Sequence, residues 1–161
     1  MRRQSGFTLL ELVIVIVVLG ILAALAIPRF ISLQREARIA VVDSLFNSLR
    51  SGSNVIYAKS AALGLSDLAS SSVDIDGGPA GSGPDVATRY GYPQATQPAI
   101  TLLFDNLSSR YNFTGGGTVA GPTGSATLTI SLDGIPTCTV TYASPTAAGA
   151  TPVIARNITG C

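Results

Sequence analysis

Chemistry in this sequence must come from few residue types. Glu11 interrupts an apolar run, Phe7-Thr8-Leu9-Leu10-Glu11-Leu12. A carboxylate near the middle of a bilayer costs about 2.5–3.5 kcal/mol on insertion scales, less near an interface. Such a group calls for a partner. A free amine on Phe7, four residues away at the same helix end, would be one, whether from the same chain or from a neighbour. A carboxylate there also suits the helix dipole. The chain has no histidine, which removes Ser-His and Cys-His nucleophiles and His-based metal sites. Its two cysteines, Cys138 and Cys161, cannot make a zinc site alone. In an exported chain they read as one disulfide, and otherwise as two free thiols. Asp74-Ile75-Asp76-Gly77, with Asp85 beyond, looks like the start of a calcium loop. It lacks the closing glutamate of an EF-hand, so a surface turn is the plainer reading. Phe113 to Gly124 is glycine-rich but has no Lys-Ser/Thr ending, and reads as a loop rather than a phosphate cradle. No cofactor and no catalytic residue is expected.

The elements that place these residues begin with the apolar run. Leu12 to Pro28 is free of charge, and Phe7 to Pro28 contains only Glu11. As a helix this spans about 33 Å, enough for a bilayer core of about 30 Å. Arg2 and Arg3 before it favour a cytoplasmic N-terminus. Three readings compete: a plain anchor, a signal peptide cut after Ala24-Leu25-Ala26, and a leader of six residues, Met1 to Gly6, followed by a retained helix. An anchor or signal peptide has no use for Glu11. From Phe30 an apolar stripe continues through Leu33, Ala37, Val41, Leu45, Leu49, Gly52 and Ile56, at helical spacing. One helix is therefore expected over about 7–62, kinked or loosened near Pro28. That continuity favours the retained helix.

Here the chain resembles the type IV pilins. The signature is RRQSG-FTLLELVIVIVVLGILAALAIPRF, over residues 2–30. The resemblance implies cleavage by a prepilin peptidase between Gly6 and Phe7, and N-methylation of Phe7. It implies that Glu11 pairs with the N-terminal amine of a neighbouring subunit. It also implies a Pro28 region able to unwind in the filament. A narrower resemblance, to the mannose-sensitive haemagglutinin type of pilin, rests on Val55-Ile56-Tyr57-Ala58-Lys59 and Arg89-Tyr90-Gly91-Tyr92-Pro93. Implied partners are identical or related subunits, the peptidase and the assembly machinery, with the inner membrane as the site before assembly and an extracellular filament after it. Some pilin-like proteins bind calcium near the loop that holds Asp74, Asp76 and Asp85.

The expected fold is α+β: a pilin fold with a small antiparallel head, one disulfide and four segments. These are the leader 1–6, a membrane or filament-core half-helix 7–28, an amphipathic half-helix 29–62 and a head 63–161. Within the head, 64–98 is rich in Gly, Ser, Pro, Asp and Ala, and 63–107 reads as a connecting loop region with a short helix over Ile100–Leu107. In 108–161 the spacing predicts strands near Arg110–Thr114, Ala126–Leu132, Thr137–Tyr142 and Pro152–Ile158. A two-residue turn at Asp133-Gly134 would face apolar against polar. A three-residue loop, pairing Ile130 with Cys138 and Leu128 with Val140, is therefore expected, or a bulge near Ile135. Tyr90 and Tyr92 read as packed under the loop rather than as sugar-stacking groups.

Composition narrows the function. Apolar residues make up 47% and charged residues 12%, about half the usual charged share. Residues 7–62 carry five basic and three acidic groups, and 63–161 carry three basic and six acidic. No cluster forms a phosphate-binding face, so nucleic acid is not an expected partner. Asn106, Asn112 and Asn157 head glycosylation-type triplets and are expected bare. A structural subunit of an adhesive, attachment or motility filament is the leading reading. A pseudopilin of a type II secretion system is the runner-up, ahead of a secreted binding module released at Ala26 and a membrane-anchored hydrolase.

Overall fold

The computed structural model describes residues 7–77, 83–104, 107, 109–117 and 126–161, with the backbone alone for 27–31. It divides into two compact units, one through Ala37 and one from Arg38 onward. The architecture is α+β, a long N-terminal helix followed by antiparallel sheets and one disulfide.

Helix α1 covers Leu9–Ala62, 54 residues, and Pro28 lies within its helical backbone. It stops at Ala62 for a local reason. Gly64 takes the left-handed conformation, φ 71°. Its amide then donates to Ala61 O, and the Leu65 amide to Ser60 O. This is the Schellman closure, which satisfies carbonyls that the helix end would otherwise orphan.

From Arg38 onward, α1 buries Val42, Leu45, Leu49, Ser53, Ile56 and Ser60, at spacings of three and four. The stripe is rotated slightly from the expected one. Val42 is fully buried, and Val41 only partly. Val42, Leu45 and Leu49 join Leu128, Ile130, Leu132, Val140 and Tyr142 in the main core. Those partners belong to a four-stranded antiparallel meander, β4 (Tyr111–Gly115), β5 (Thr127–Leu132), β6 (Thr139–Ala143) and β7 (Val153–Asn157), in the order β4-β5-β6-β7.

The β5–β6 register corrects one expectation. Ile130 pairs with Val140 and Leu128 with Tyr142, not with Cys138 and Val140. Apolar does face apolar, so the argument for an odd loop holds, but the loop is five residues long. Asp133 and Gly134 both take positive φ, the Ile135 amide bonds back to Leu132 O, and Cys138 N bonds to Ile135 O. These contacts make a wider turn than three residues allow. Arg110 clamps its start. Its Nε and Nη2 donate to the two Asp133 carboxylate oxygens at 2.8 and 2.6 Å. The hydrogen bond from Arg110 holds the Asp133 carboxyl below the ordinary aspartate value of 3.8. A lowered folded-state value means the pair stabilises from the unfolded carboxyl's range upward, and that contribution is lost as pH falls through the folded value. Asp133→Asn is expected to lower Tm by a few degrees at most near neutral pH, the pair being exposed. Its curve should rejoin the wild-type curve in acid. Tm measured against pH checks this, and a gap that persists below the folded-state value would disprove it.

The segment read as a connecting loop also differs. Residues 63–107 hold a three-stranded sheet, β1 (Ser71–Asp74), β2 (Asp85–Arg89) and β3 (Tyr92–Pro93). The strands are too short and polar to alternate visibly. Only Val73 and Val86, paired and fully buried, carry the apolar signal. Thr88 and Arg89 are buried too, with Arg89 Nε donating to Pro145 O at 2.9 Å. Tyr90 and Gly91 form the two-residue β2–β3 turn with φ 47° and 82°. A side chain at Gly91 would also meet the Tyr57 ring at 2.8 Å.

The short helix is shifted as well. Helix α2 is Gln97–Thr101, not Ile100–Leu107. Thr96 caps it by accepting from the Ala99 amide, Pro98 lies in its first turn, and Thr101 Oγ1 bonds back to Gln97 O and Pro98 O. Capping and proline therefore set its position, rather than the apolar run that follows. Tyr142 joins the two sheets: its buried hydroxyl donates to Pro93 O at 2.8 Å.

Candidate functional site

The N-terminal unit places Glu11 in the first turn of α1. Thr8 N and Thr8 Oγ1 both donate to Glu11 Oε2, at 3.0 and 2.8 Å, and Glu11 N donates to Thr8 Oγ1 at 3.3 Å. This is a reciprocal capping box, Thr-x-x-Glu. The reading of Glu11 as an amine partner overlooked it, although Thr8-Leu9-Leu10-Glu11 spells it out. The cap satisfies two donors at the helix start through one carboxylate oxygen. Among the described residues, Oε1 accepts no hydrogen bond. Phe7, one residue before the cap, is 76% exposed. Gly6, with the rest of the expected leader, lies outside the described residues.

The 18 residues that follow, Leu9–Ala26, are long and apolar enough to cross a membrane, and none of that stretch is buried in the fold. Leu10, Ile14, Val17, Ile21 and Leu25 are all exposed. An all-round apolar helix of this kind needs lipid or other helices around it.

In the C-terminal unit, Cys138 and Cys161 form the disulfide, with Cα atoms 4.9 Å apart. Cys138 leads directly into inner strand β6, and Cys161 lies four residues after edge strand β7. Asp74 and Asp85 pair across β1 and β2. Asp74 Oδ1 accepts from the amides of Asp76 and Gly77 at 2.7 and 3.1 Å, as in a turn. The Asp74 carboxyl is lowered from its ordinary value, chiefly by its hydrogen bond with the Asp76 side chain. Among the described residues, no group of three or more acidic, Cys or His side chains is placed to hold a metal ion. Tyr90 and Tyr92 are each 7% exposed, and Tyr92 stacks on Tyr57 at 4.4 Å between ring centroids. Both are therefore packed, as expected.

A known family model matches where the cap and the apolar helix lie. The family model described as the prokaryotic N-terminal methylation motif matches residues 1–27. The chain carries this motif. Over part of its length it is homologous to type IV pilins and type II secretion pseudopilins. It is 53% identical over 49 residues to the type IV narrow pilus major component PilA5 of Thermus thermophilus, covering 30% of this chain and 42% of that protein. It is 52% identical over 40 residues to the type II secretion system core protein G of Pseudomonas aeruginosa, covering 25% and 28%. It is 33% identical over 90 residues to the type IV major pilin protein PilA of Myxococcus xanthus, covering 56% and 36%. The chain thus spans under half the length of each of these relatives. No solved structure matches.

Proposed function

We propose that the chain is a structural subunit of a type IV pilus, with no enzymatic role. A prepilin peptidase removes Met1–Gly6 and methylates Phe7. The product waits in the inner membrane, held by the apolar part of α1, and the assembly machinery then packs these helices into an extracellular filament for adhesion, surface attachment or motility. The observation that carries this reading is the unburied apolar helix that lies within the methylation motif, with a single carboxylate in its first turn. The free oxygen of Glu11 then takes the Phe7 ammonium of a neighbour, which neutralises both groups and fixes register. Pro28 gives the helix a place to loosen in the filament. The division into 7–28, 29–62 and 63–161 follows from these roles. The mannose-sensitive haemagglutinin type is the subtype we favour, on the Val55–Lys59 and Arg89–Pro93 segments.

A pseudopilin of a type II secretion system is the second reading, favoured by the 52% identity to a core protein G. A disulfide-bonded, charge-poor head supports the exposed filament instead. Intact mass of the protein in material sheared from whole cells separates the two. A chain starting at Phe7 with one added methyl, found outside the cell, is the expected result. The same mass confined to the membrane fraction would favour the pseudopilin. A chain starting at Ile27 would overturn both.

A further inference from the structure

Between α1 and the segment leading into β7 lies a groove of about 240 Å³. Phe46, Arg50 and Asn54 line it from α1, spaced four apart and so on one face. Thr151 and Ile154 line it from the other side, with Tyr92 of β3 also contributing.

Two features of the lining point to a ligand. Among the described residues from Arg38 on, the other four arginines are engaged: Arg38 with Cys161 O, Arg89 with Pro145 O, Arg110 with Asp133 and Arg156 with Asp43. Arg50 is exposed and makes no hydrogen bond or ion pair among the described residues, and no acid lines the groove. Tyr92 is 93% buried, since only 7% is exposed. Its hydroxyl has no hydrogen-bonding partner among the described residues and is not among the side-chain atoms sealed from solvent. Tyr142 in the same core does find one.

The chemistry of these groups converges on one ligand class. A guanidinium matches a carboxylate through two parallel hydrogen bonds. The Tyr92 hydroxyl, the Asn54 amide and the Thr151 hydroxyl can each exchange hydrogen bonds with ring hydroxyls. Phe46 and Ile154 offer apolar contact to the C–H faces of a ring. The volume lies below the roughly 300–1,000 Å³ of sites that hold drug-sized molecules, which leaves room for one ring. We infer that this groove binds a single acidic sugar residue, free or at the end of a glycan. Arg50 takes its carboxylate and Tyr92 a neighbouring hydroxyl. The site lies wholly within residues 38–161 and does not depend on filament assembly.

The test is a titration of the full chain in detergent micelles with glucuronate, galacturonate and N-acetylneuraminate, followed by calorimetry and saturation-transfer NMR. Glucose and galactose are the neutral comparators. Saturable binding of at least one acid is expected, with the neutral sugars weaker by about tenfold or more. Arg50→Ala should weaken it by about tenfold or more. Tyr92→Phe, which keeps the ring stacked on Tyr57, should weaken it several-fold, and Arg35→Ala should leave it unchanged. Circular dichroism verifies that each variant is folded. Failure of all three acids to bind overturns the inference, as does binding that survives Arg50→Ala. Equal binding of an acidic peptide spanning Ser71–Gly77 would also overturn it, because the groove would then be a contact for a second copy.

Discussion

Glu11→Val is expected to insert in the membrane and be processed normally, yet to lose nearly all filament yield. The structure sharpens this expectation, because it adds a capping role to the assembly role proposed for Glu11, and the two differ in size. As the N3 residue of a capping box it contributes on the order of 1 kcal/mol to the helix start. As the partner of a neighbour's Phe7 ammonium in an apolar filament core, its removal would leave a buried charge uncompensated, at about 3–5 kcal/mol. That corresponds to more than about a hundredfold in an assembly equilibrium. Two variants separate the jobs. Glutamine serves at N3 of a capping box, so Glu11→Gln keeps the cap but removes the charge. Thr8→Ala removes the cap and keeps the charge. Sheared filament per cell, normalised to processed subunit in the membrane, should fall for Glu11→Gln almost as far as for Glu11→Val and only slightly for Thr8→Ala. If Glu11→Gln assembles normally while Thr8→Ala does not, the carboxylate is a cap and not an amine partner.

What the sequence disclosed depended on how each element is held. The long helix was legible because it rests on an apolar run, uncharged from Leu12 to Pro28, and then a stripe at spacing three and four. The β4–β7 meander was legible because Leu128, Ile130 and Leu132 alternate with polar residues and one face is buried. Register was only half legible. Alternation fixes which face a residue takes, but not how far two strands slide by even steps, and that distance was set by backbone bonds around Ile135 and the Arg110–Asp133 clamp. The β1–β3 sheet was not legible. It is built from short strands with buried Thr88 and Arg89, and a buried arginine gives no apolar signal. At the candidate assembly site, the acid stood out because it was expensive, yet its cap went unread. Thr8 stood only as one letter of the pilin signature, and the short-range Thr-x-x-Glu pattern was hidden by the long-range question of who neutralises Glu11. The groove at Arg50 had no signature in the sequence. It joins a helix face to chain a hundred residues later, and what marks it is the lack of a partner, which only a structure displays.

Cys138→Ser should cost the head about 3–4 kcal/mol through the unfolded state, since the bond closes a loop of 23 residues' separation. For a fold of this size that is a Tm loss on the order of 10 °C. The loss should fall unevenly. Strand β7 is a mostly exposed edge, with Val153 68% exposed, and among the described residues it pairs only with β6. Besides that ladder, it is held by the Arg156–Asp43 ion pair, by Ile154 and Ile158 packing on the core, and by the disulfide just beyond it. Strands β5 and β6 hold fully buried Leu128, Ile130, Val140 and Tyr142 and do not depend on the bond. In native-state hydrogen exchange the β7 amides should therefore lose protection first and by the largest factor, while β5 amides open only with global unfolding. Reduced wild-type chain should match Cys138→Ser in this pattern. A Cys138→Ala/Cys161→Ala chain, which buries no new hydroxyl, shows how much of the loss belongs to the cross-link itself. If Tm moves by no more than a degree or two in all three, the bond is not what holds the C-terminus. The Arg156–Asp43 pair and the β6–β7 ladder would then carry that role, and uniform loss of protection across β4–β7 would place the disulfide in the global core rather than at its edge.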